Sequence, residues 1–89
     1  MTTDAELLTS ADTDPRAFRE IYDRYAKNVH GFFLRRCSNR DVPLDLTAET
    51  FAQAWQSRHR FVDHRDGSLG PWLFGIARNV LTRSVREQT

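Results

Sequence analysis

Apolar residues along this chain recur at intervals of three and four, the spacing that lines one face of an α-helix. Nowhere do they alternate with period two over a useful length. Thr3-Asp4-Ala5-Glu6 has the form of a capping box, so a short helix is predicted over residues 4–9, anchored by Leu7 and Leu8. A polar stretch to Thr13 breaks it. Asp14-Pro15 opens a second helix, with Asp as N-cap and proline where the backbone N–H has no intrahelical partner. Phe18, Ile21, Tyr22, Tyr25, Val29, Phe32 and Phe33 share one face and carry this helix to about Arg36. Arg16, Arg19, Glu20, Asp23, Arg24 and Lys27 fall on its other face, and Ser38-Asn39-Arg40 interrupts the pattern.

Asp41-Val42-Pro43 starts a third helix, expected to run to about Phe61. It carries two apolar stripes: Leu44, Ala48, Phe51 and Trp55 in one, Leu46, Thr50 and Ala54 alongside. A middle helix between two neighbours produces this pattern, and so does a helix that offers one stripe to another protein. Residues 62–67 form a polar, turn-rich loop, and Ser68 or Gly70 caps a last helix with Pro71 in its first turn. Leu69, Trp72, Leu73, Ile76, Ala77, Val80 and Leu81 make its buried stripe. Arg78 and Thr82 lie roughly opposite that stripe, Asn79 and Arg86 on its shoulder, Arg83 nearer its edge. The expected fold is all-α: a compact bundle of three main helices plus a short N-terminal one. Residues 1–13 form the short helix and polar break, and residues 14–89 the main helical domain.

Length and charge sharpen this picture. The 89 residues allow one small domain, which buries only about 60–65% of its unfolded surface. The near-neutral net charge hides a gradient. Residues 1–14 hold Asp4, Glu6, Asp12 and Asp14 with no Lys or Arg, whereas six arginines between Arg58 and Arg86 face only Asp63 and Asp66. Lys27 is the only lysine, a balance that favours bidentate and stacking contacts. A single cysteine, Cys37, cannot form an internal disulfide, which fits a reducing compartment. With no apolar run of membrane-spanning length and no signal-peptide pattern, a soluble cytoplasmic protein is expected.

No catalytic constellation is visible. His30, His59 and His64 are scattered, and no Cys/His/Asp/Glu set has zinc-ligand spacing. Glycines 31, 67, 70 and 75 form no phosphate loop. Asp45 and Glu49 lie four apart on one helical face, but paired carboxylates need a cleft to shift their pKa values. The expectation is no enzyme, no metal and no cofactor. The last helix is more suggestive. Arg pairs phosphate or guanine and Asn bonds adenine edges, so its polar face suits nucleic acid, although a solvated face would look the same.

Three segments together resemble the extracytoplasmic-function sigma factors of bacterial RNA polymerase. Residues 45–55, Asp-Leu-Thr-Ala-Glu-Thr-Phe-Ala-Gln-Ala-Trp, are similar to the family's D-L-x-Q-E-x-F-x-x-A-W signature. Residues 67–79, Gly-Ser-Leu-Gly-Pro-Trp-Leu-Phe-Gly-Ile-Ala-Arg-Asn, are similar to G-S-x-x-x-W-L-x-x-I-A-R-N. Residues 17–25 look like the family's opening helix. The resemblance implies a region 2 domain over 14–89, all-helical, which binds RNA polymerase core and recognises and melts the promoter minus-ten element. It implies polymerase contacts, on the coiled coil of the β′ subunit, by Leu44, Asp45, Ala48, Glu49, Phe51 and Trp55. Contacts to the non-template DNA strand are implied for Arg78, Asn79, Thr82, Arg83 and Arg86, and for Phe61, Asp63, His64, Arg65 and Ser68 around a pocket for an extruded base. Acidic and basic flanks would then face different partners.

Individual residues keep other readings at this point. Trp72, in the buried stripe, is expected in the core rather than as a wedge between strands, while Trp55 is open between core and polymerase contact. Ala48 stands where the family usually has Gln, Asp66 where Arg before Gly is common, and the loop is about one residue longer than usual. Family members carry a second helical domain that reads the minus-thirty-five element; none lies within these residues, so weak promoter binding is expected of them alone. The alternative is a helical protein-interaction module, such as the target of an anti-sigma factor, without direct DNA binding.

Overall fold

The computed structural model describes residues 2–88, so Met1 and Thr89, the outer ends of the two predicted segments, lie outside the described residues. The chain forms four α-helices and one short 3-10 turn, with no strand among the described residues. Helix α1 spans Asp4–Ser10, and the Thr3 hydroxyl oxygen caps it by accepting the Glu6 N–H at 3.2 Å. Helix α2 spans Pro15–Leu34, capped by Asp14, whose carboxylate accepts the Arg16 N–H at 3.0 Å. Helix α4 spans Gly70–Gln88. None of these helices is long and apolar enough to cross a membrane.

Helix α3 spans Val42–Gln56, five residues short of the expected end. The chain leaves the helix at Ser57 and makes a 3-10 turn at Arg58–Arg60. The cause is local competition for carbonyls. The Ser57 hydroxyl donates to the Gln53 carbonyl at 2.7 Å, and Arg58 donates to the Trp55 carbonyl at 2.8 Å while its guanidinium lies 3.8 Å over the Trp55 ring. Helix α2 likewise stops two residues before Arg36, within the usual fraying of a helix end.

Helix α3 packs against both α2 and α4, and α1 packs against α2. The main core joins Val29, Phe32 and Phe33 of α2, Leu46, Phe51 and Ala54 of α3, and Leu73, Ala77 and Val80 of α4. A second cluster sets Leu7 and Leu8 of α1 and Ala11 just after it against Ala17, Ile21 and Leu69. The double stripe on α3 is thereby resolved. Its buried side is Pro43, Leu46, Thr47, Thr50, Phe51 and Ala54, leaving Leu44 60% exposed and Ala48 exposed beside it. Thr47 and Thr50 are buried without an orphaned hydroxyl, because each donates to the carbonyl four residues back at 2.7 Å.

One buried carboxylate ties three elements together. Asp4, 8% exposed, accepts the Arg24 guanidinium at 2.8 Å, the Tyr25 hydroxyl, and the Leu69 N–H at 3.1 Å. Burial pushes its pKa up, but the bonds from Tyr25, Leu69 and Arg24 outweigh it and hold the carboxyl below its ordinary value. Asp4 thus fixes where α4 begins relative to α1 and α2.

Candidate functional site

The polar face of α4 is open to solvent. Arg78, Asn79, Thr82, Arg83 and Arg86 are all exposed, on the side away from the buried Leu73, Ala77 and Val80. Their hydrogen-bonding capacity differs. The Thr82 hydroxyl is engaged within its own helix, donating to the Arg78 carbonyl at 2.9 Å. The Arg83 guanidinium turns toward α3 and lies 3.6 Å from the Glu49 carboxylate.

The loop of residues 61–69 is held in one shape by bonds from its backbone amides. A single oxygen of Asp63 accepts the N–H groups of Arg65 at 3.1 Å and Gly67 at 2.8 Å, and the Ser68 N–H reaches the Arg65 carbonyl at 3.0 Å. Asp66 and Gly67 both adopt positive φ, 52° and 87°, which reverses the chain. Gly67 also presses on α1: its carbonyl accepts the Ala5 N–H at 3.0 Å, and a Cβ there would lie 2.8 Å from the Thr3 Cβ. Ser68 caps α4 by accepting the Gly70 N–H at 3.2 Å. One Asp63 oxygen and the Ser68 hydroxyl oxygen are thus engaged by backbone amides of the loop and of the start of α4. They shape the loop.

This loop encloses one side of a hollow of about 390 Å³, lined by Arg60, Phe61, Val62, His64, Arg65, Ser68, Pro71 and Trp72. The Phe61 and Trp72 rings meet edge to face, 5.5 Å between centroids. Trp72 is half-buried: it packs against both core clusters, as expected, and its remaining surface forms a wall of this hollow. Aromatic walls with Arg60, Arg65 and His64 at the rim suit a flat π-system attached to an anionic backbone. Periodicity alone missed Arg60, Val62 and Pro71 as lining residues, because the hollow forms between the 3-10 turn and the start of α4.

On α3, Leu44, Asp45, Ala48 and Glu49 form an exposed apolar and acidic face. Two residues predicted with them pack inward, wholly or in part. Phe51 is 5% exposed in the main core, 4.8 Å from the Tyr22 ring, which corrects its expected role as a surface contact. Trp55 is half-buried, edge-on to Phe18 at 5.1 Å, so part of its surface is spent on packing. The structure instead adds α2 residues to this face: a groove of about 260 Å³ runs between the helices, lined by Tyr22, Ala26, Lys27, His30, Leu44, Thr47 and Ala48. Tyr22, assigned by periodicity to the buried side of α2, is 44% exposed. The acidic and basic faces are neighbours on packed helices, as the Glu49–Arg83 contact shows.

The Sigma-70 region 2 family matches residues 21–89. The chain is 37% identical over 68 residues to the ECF RNA polymerase sigma factor SigM of Bacillus subtilis (strain 168), an overlap of 76% of this chain and 40% of that protein. It is 33% identical over 74 residues to the ECF RNA polymerase sigma factor RpoE of Cereibacter sphaeroides, covering 83% and 40% of the two chains. A third relative, the RNA polymerase sigma factor CarQ of Myxococcus xanthus, is 33% identical over 72 residues, 81% of this chain and 40% of that protein. The chain thus spans about 40% of the length of these relatives. No solved structure matches it. The matched span holds α3, the loop and α4 with both signature segments, and on that ground the chain belongs to the sigma-70 region 2 family, with ECF sigma factors as its relatives.

Proposed function

We propose that this chain is the part of a cytoplasmic sigma factor that joins RNA polymerase to the promoter minus-ten element. The exposed face of α3, with Asp45 and Glu49 flanking Leu44 and Ala48, docks on the coiled coil of the β′ subunit. The polar face of α4 and the adjoining hollow hold the non-template strand. A base that has left the duplex stack enters between the loop and Trp72, while Arg65, Arg78 and Arg86 position phosphates and Asn79 reads a base edge. The work is selective binding of an opened strand, so no bond-making residue is required of the chain. The observation that carries this reading is the hollow of about 390 Å³ walled by Phe61 and Trp72 and rimmed by arginines, directly before the helix that bears Arg78 and Asn79.

Fluorescence anisotropy with a labelled single-stranded minus-ten oligonucleotide tests the DNA half. Binding should weaken with salt, and Asn79→Ala or Arg78→Ala should each cost about 1–3 kcal/mol. A pull-down on the β′ coiled coil tests the other half, where Asp45→Arg should abolish capture. Equal strand affinity in native and Asn79→Ala protein, together with retained capture by Asp45→Arg, would overturn the proposal and favour an interaction module that does not touch DNA.

A further inference from the structure

We propose that the polar hollow between the end of α3 and the middle of α4 is a phosphate subsite for the same DNA strand, and that Glu49 is the internal anion which that phosphate displaces from Arg83. The inference rests on the DNA reading above and extends it to Gln56, Arg60 and the Glu49–Arg83 pair. The hollow has a volume of about 450 Å³ and is lined by Gln53, Gln56, Ser57, Arg60 and Arg83. Two guanidinium groups, two carboxamides and a hydroxyl line it, with the Glu49 carboxylate at its edge, accepting the Gln53 carboxamide at 3.2 Å. Guanidinium forks match phosphate oxygens in both charge and geometry. Arg60 lines this hollow and the aromatic one alike, so a phosphate held here lies along the backbone of a base held there.

The basic residues of the 3-10 turn are not equivalent. Arg58 is engaged by Asp12 at 2.9 Å, by the Trp55 carbonyl and by the Trp55 ring, and His59 lies 3.4 Å from Asp12. The Arg60 guanidinium makes no ion pair or hydrogen bond among the described residues, so its charge is available to a ligand. The end of a helix normally repels anions through its unpaired carbonyls. Here that repulsion is blunted, because the Gln53 carbonyl accepts both the N–H and the hydroxyl of Ser57, and Arg58 occupies the Trp55 carbonyl. On the far wall, Arg83 is held among the described residues only by Glu49, at 3.6 Å, with their side chains 58% and 44% exposed. A pair so open to water is weak and readily exchanged for a stronger anion. Anything that engages Glu49 on the α3 face therefore releases Arg83 to the strand, and by linkage a bound phosphate frees Glu49.

The test is anisotropy of the 89-residue chain with a labelled AT-rich single strand, and with copies carrying one uncharged methylphosphonate linkage at successive positions. Circular dichroism confirms that each variant is folded. Arg60→Ala should lower the slope of log affinity against log salt by about 0.7, the loss of one phosphate contact to a single strand. One methylphosphonate position should weaken the native protein and leave Arg60→Ala indifferent. Glu49→Gln should tighten native binding about two- to fivefold, the range of an exposed ion pair, and do nothing in an Arg83→Ala background. An unchanged salt slope, with identical linkage scans in native and Arg60→Ala protein, would overturn the subsite. Sensitivity to Asn79→Ala in those same samples would leave the DNA reading standing. A Glu49→Gln effect that persists without Arg83 would overturn the exchange, and absence of binding by the native chain would overturn both readings.

Discussion

Asp4 illustrates how much a single side chain can decide in so small a core. It is the acceptor for Arg24, Tyr25 and the Leu69 N–H, so its removal takes the nearer carboxylate from the half-buried Arg24 guanidinium, which keeps Glu20 at 3.4 Å, and leaves a phenol and an amide short of a partner. Asp4→Ala should cost about 1–3 kcal/mol, read as a lowered midpoint in urea or heat. The sign of the pH effect follows from the depressed pKa. A carboxyl held below its ordinary 3.8 stabilises the fold above that value, and the contribution is lost as pH falls through the folded-state pKa. Native protein should therefore lose stability below about pH 4 more steeply than Asp4→Ala. Tyr25 acts at the other limit. Its pKa is raised above 10.0, first by burial and then by Asp4, so its contribution is complete below that value and fades as pH rises further. Parallel acid-unfolding curves for native and Asp4→Ala protein would refute this role.

At the level of the helices, α3 separates a buried side from an exposed one that its sequence runs together. Leu44 and Phe51 fall in one stripe by spacing, yet Leu44 is 60% exposed and Phe51 only 5%. Phe51→Ala should cost about 3–5 kcal/mol through the cavity it leaves, a large share of the roughly 5–15 kcal/mol that holds a domain together. Leu44→Ala should change stability by no more than about 0.5 kcal/mol while weakening capture by the β′ coiled coil. Thermal melts and pull-downs on the two variants separate packing from docking. A destabilised Leu44→Ala protein, or a Phe51→Ala protein that melts like the native one, would contradict this division of α3.

Across the whole molecule, α1 is the brace that keeps the loop in shape. Leu7, Leu8 and Ala11 cover Ala17, Ile21 and Leu69, while Ala5 and Thr3 press against Gly67. Deleting residues 1–13 removes that cover, at a cost of about 1.5–3 kcal/mol for each buried leucine. The deletion should also speed hydrogen exchange of the Gly67 and Leu69 amides, both donors in bonds that hold the loop. Unchanged protection of those two amides after deletion would show that α1 does not brace the loop.

How much of this was legible beforehand depends on the distance over which each cause acts. Helix starts were readable because their causes are local. Thr3 with Glu6, Asp14 before Pro15, and Ser68 ahead of Gly70 each satisfy backbone donors within a few positions. The buried stripe of α4 and the exposure of Arg78, Asn79, Asp45 and Glu49 follow from the helical period in the same way. The family signature also marked the loop as part of a pocket. Three-dimensional packing alone decided the rest. Which stripe of α3 faces inward, the half-buried wall made by Trp72, the Glu49–Arg83 contact and the three bonds to Asp4 all join segments far apart in the chain. Period and propensity describe one helix at a time, whereas these features arise only where two or three helices meet and exclude water together.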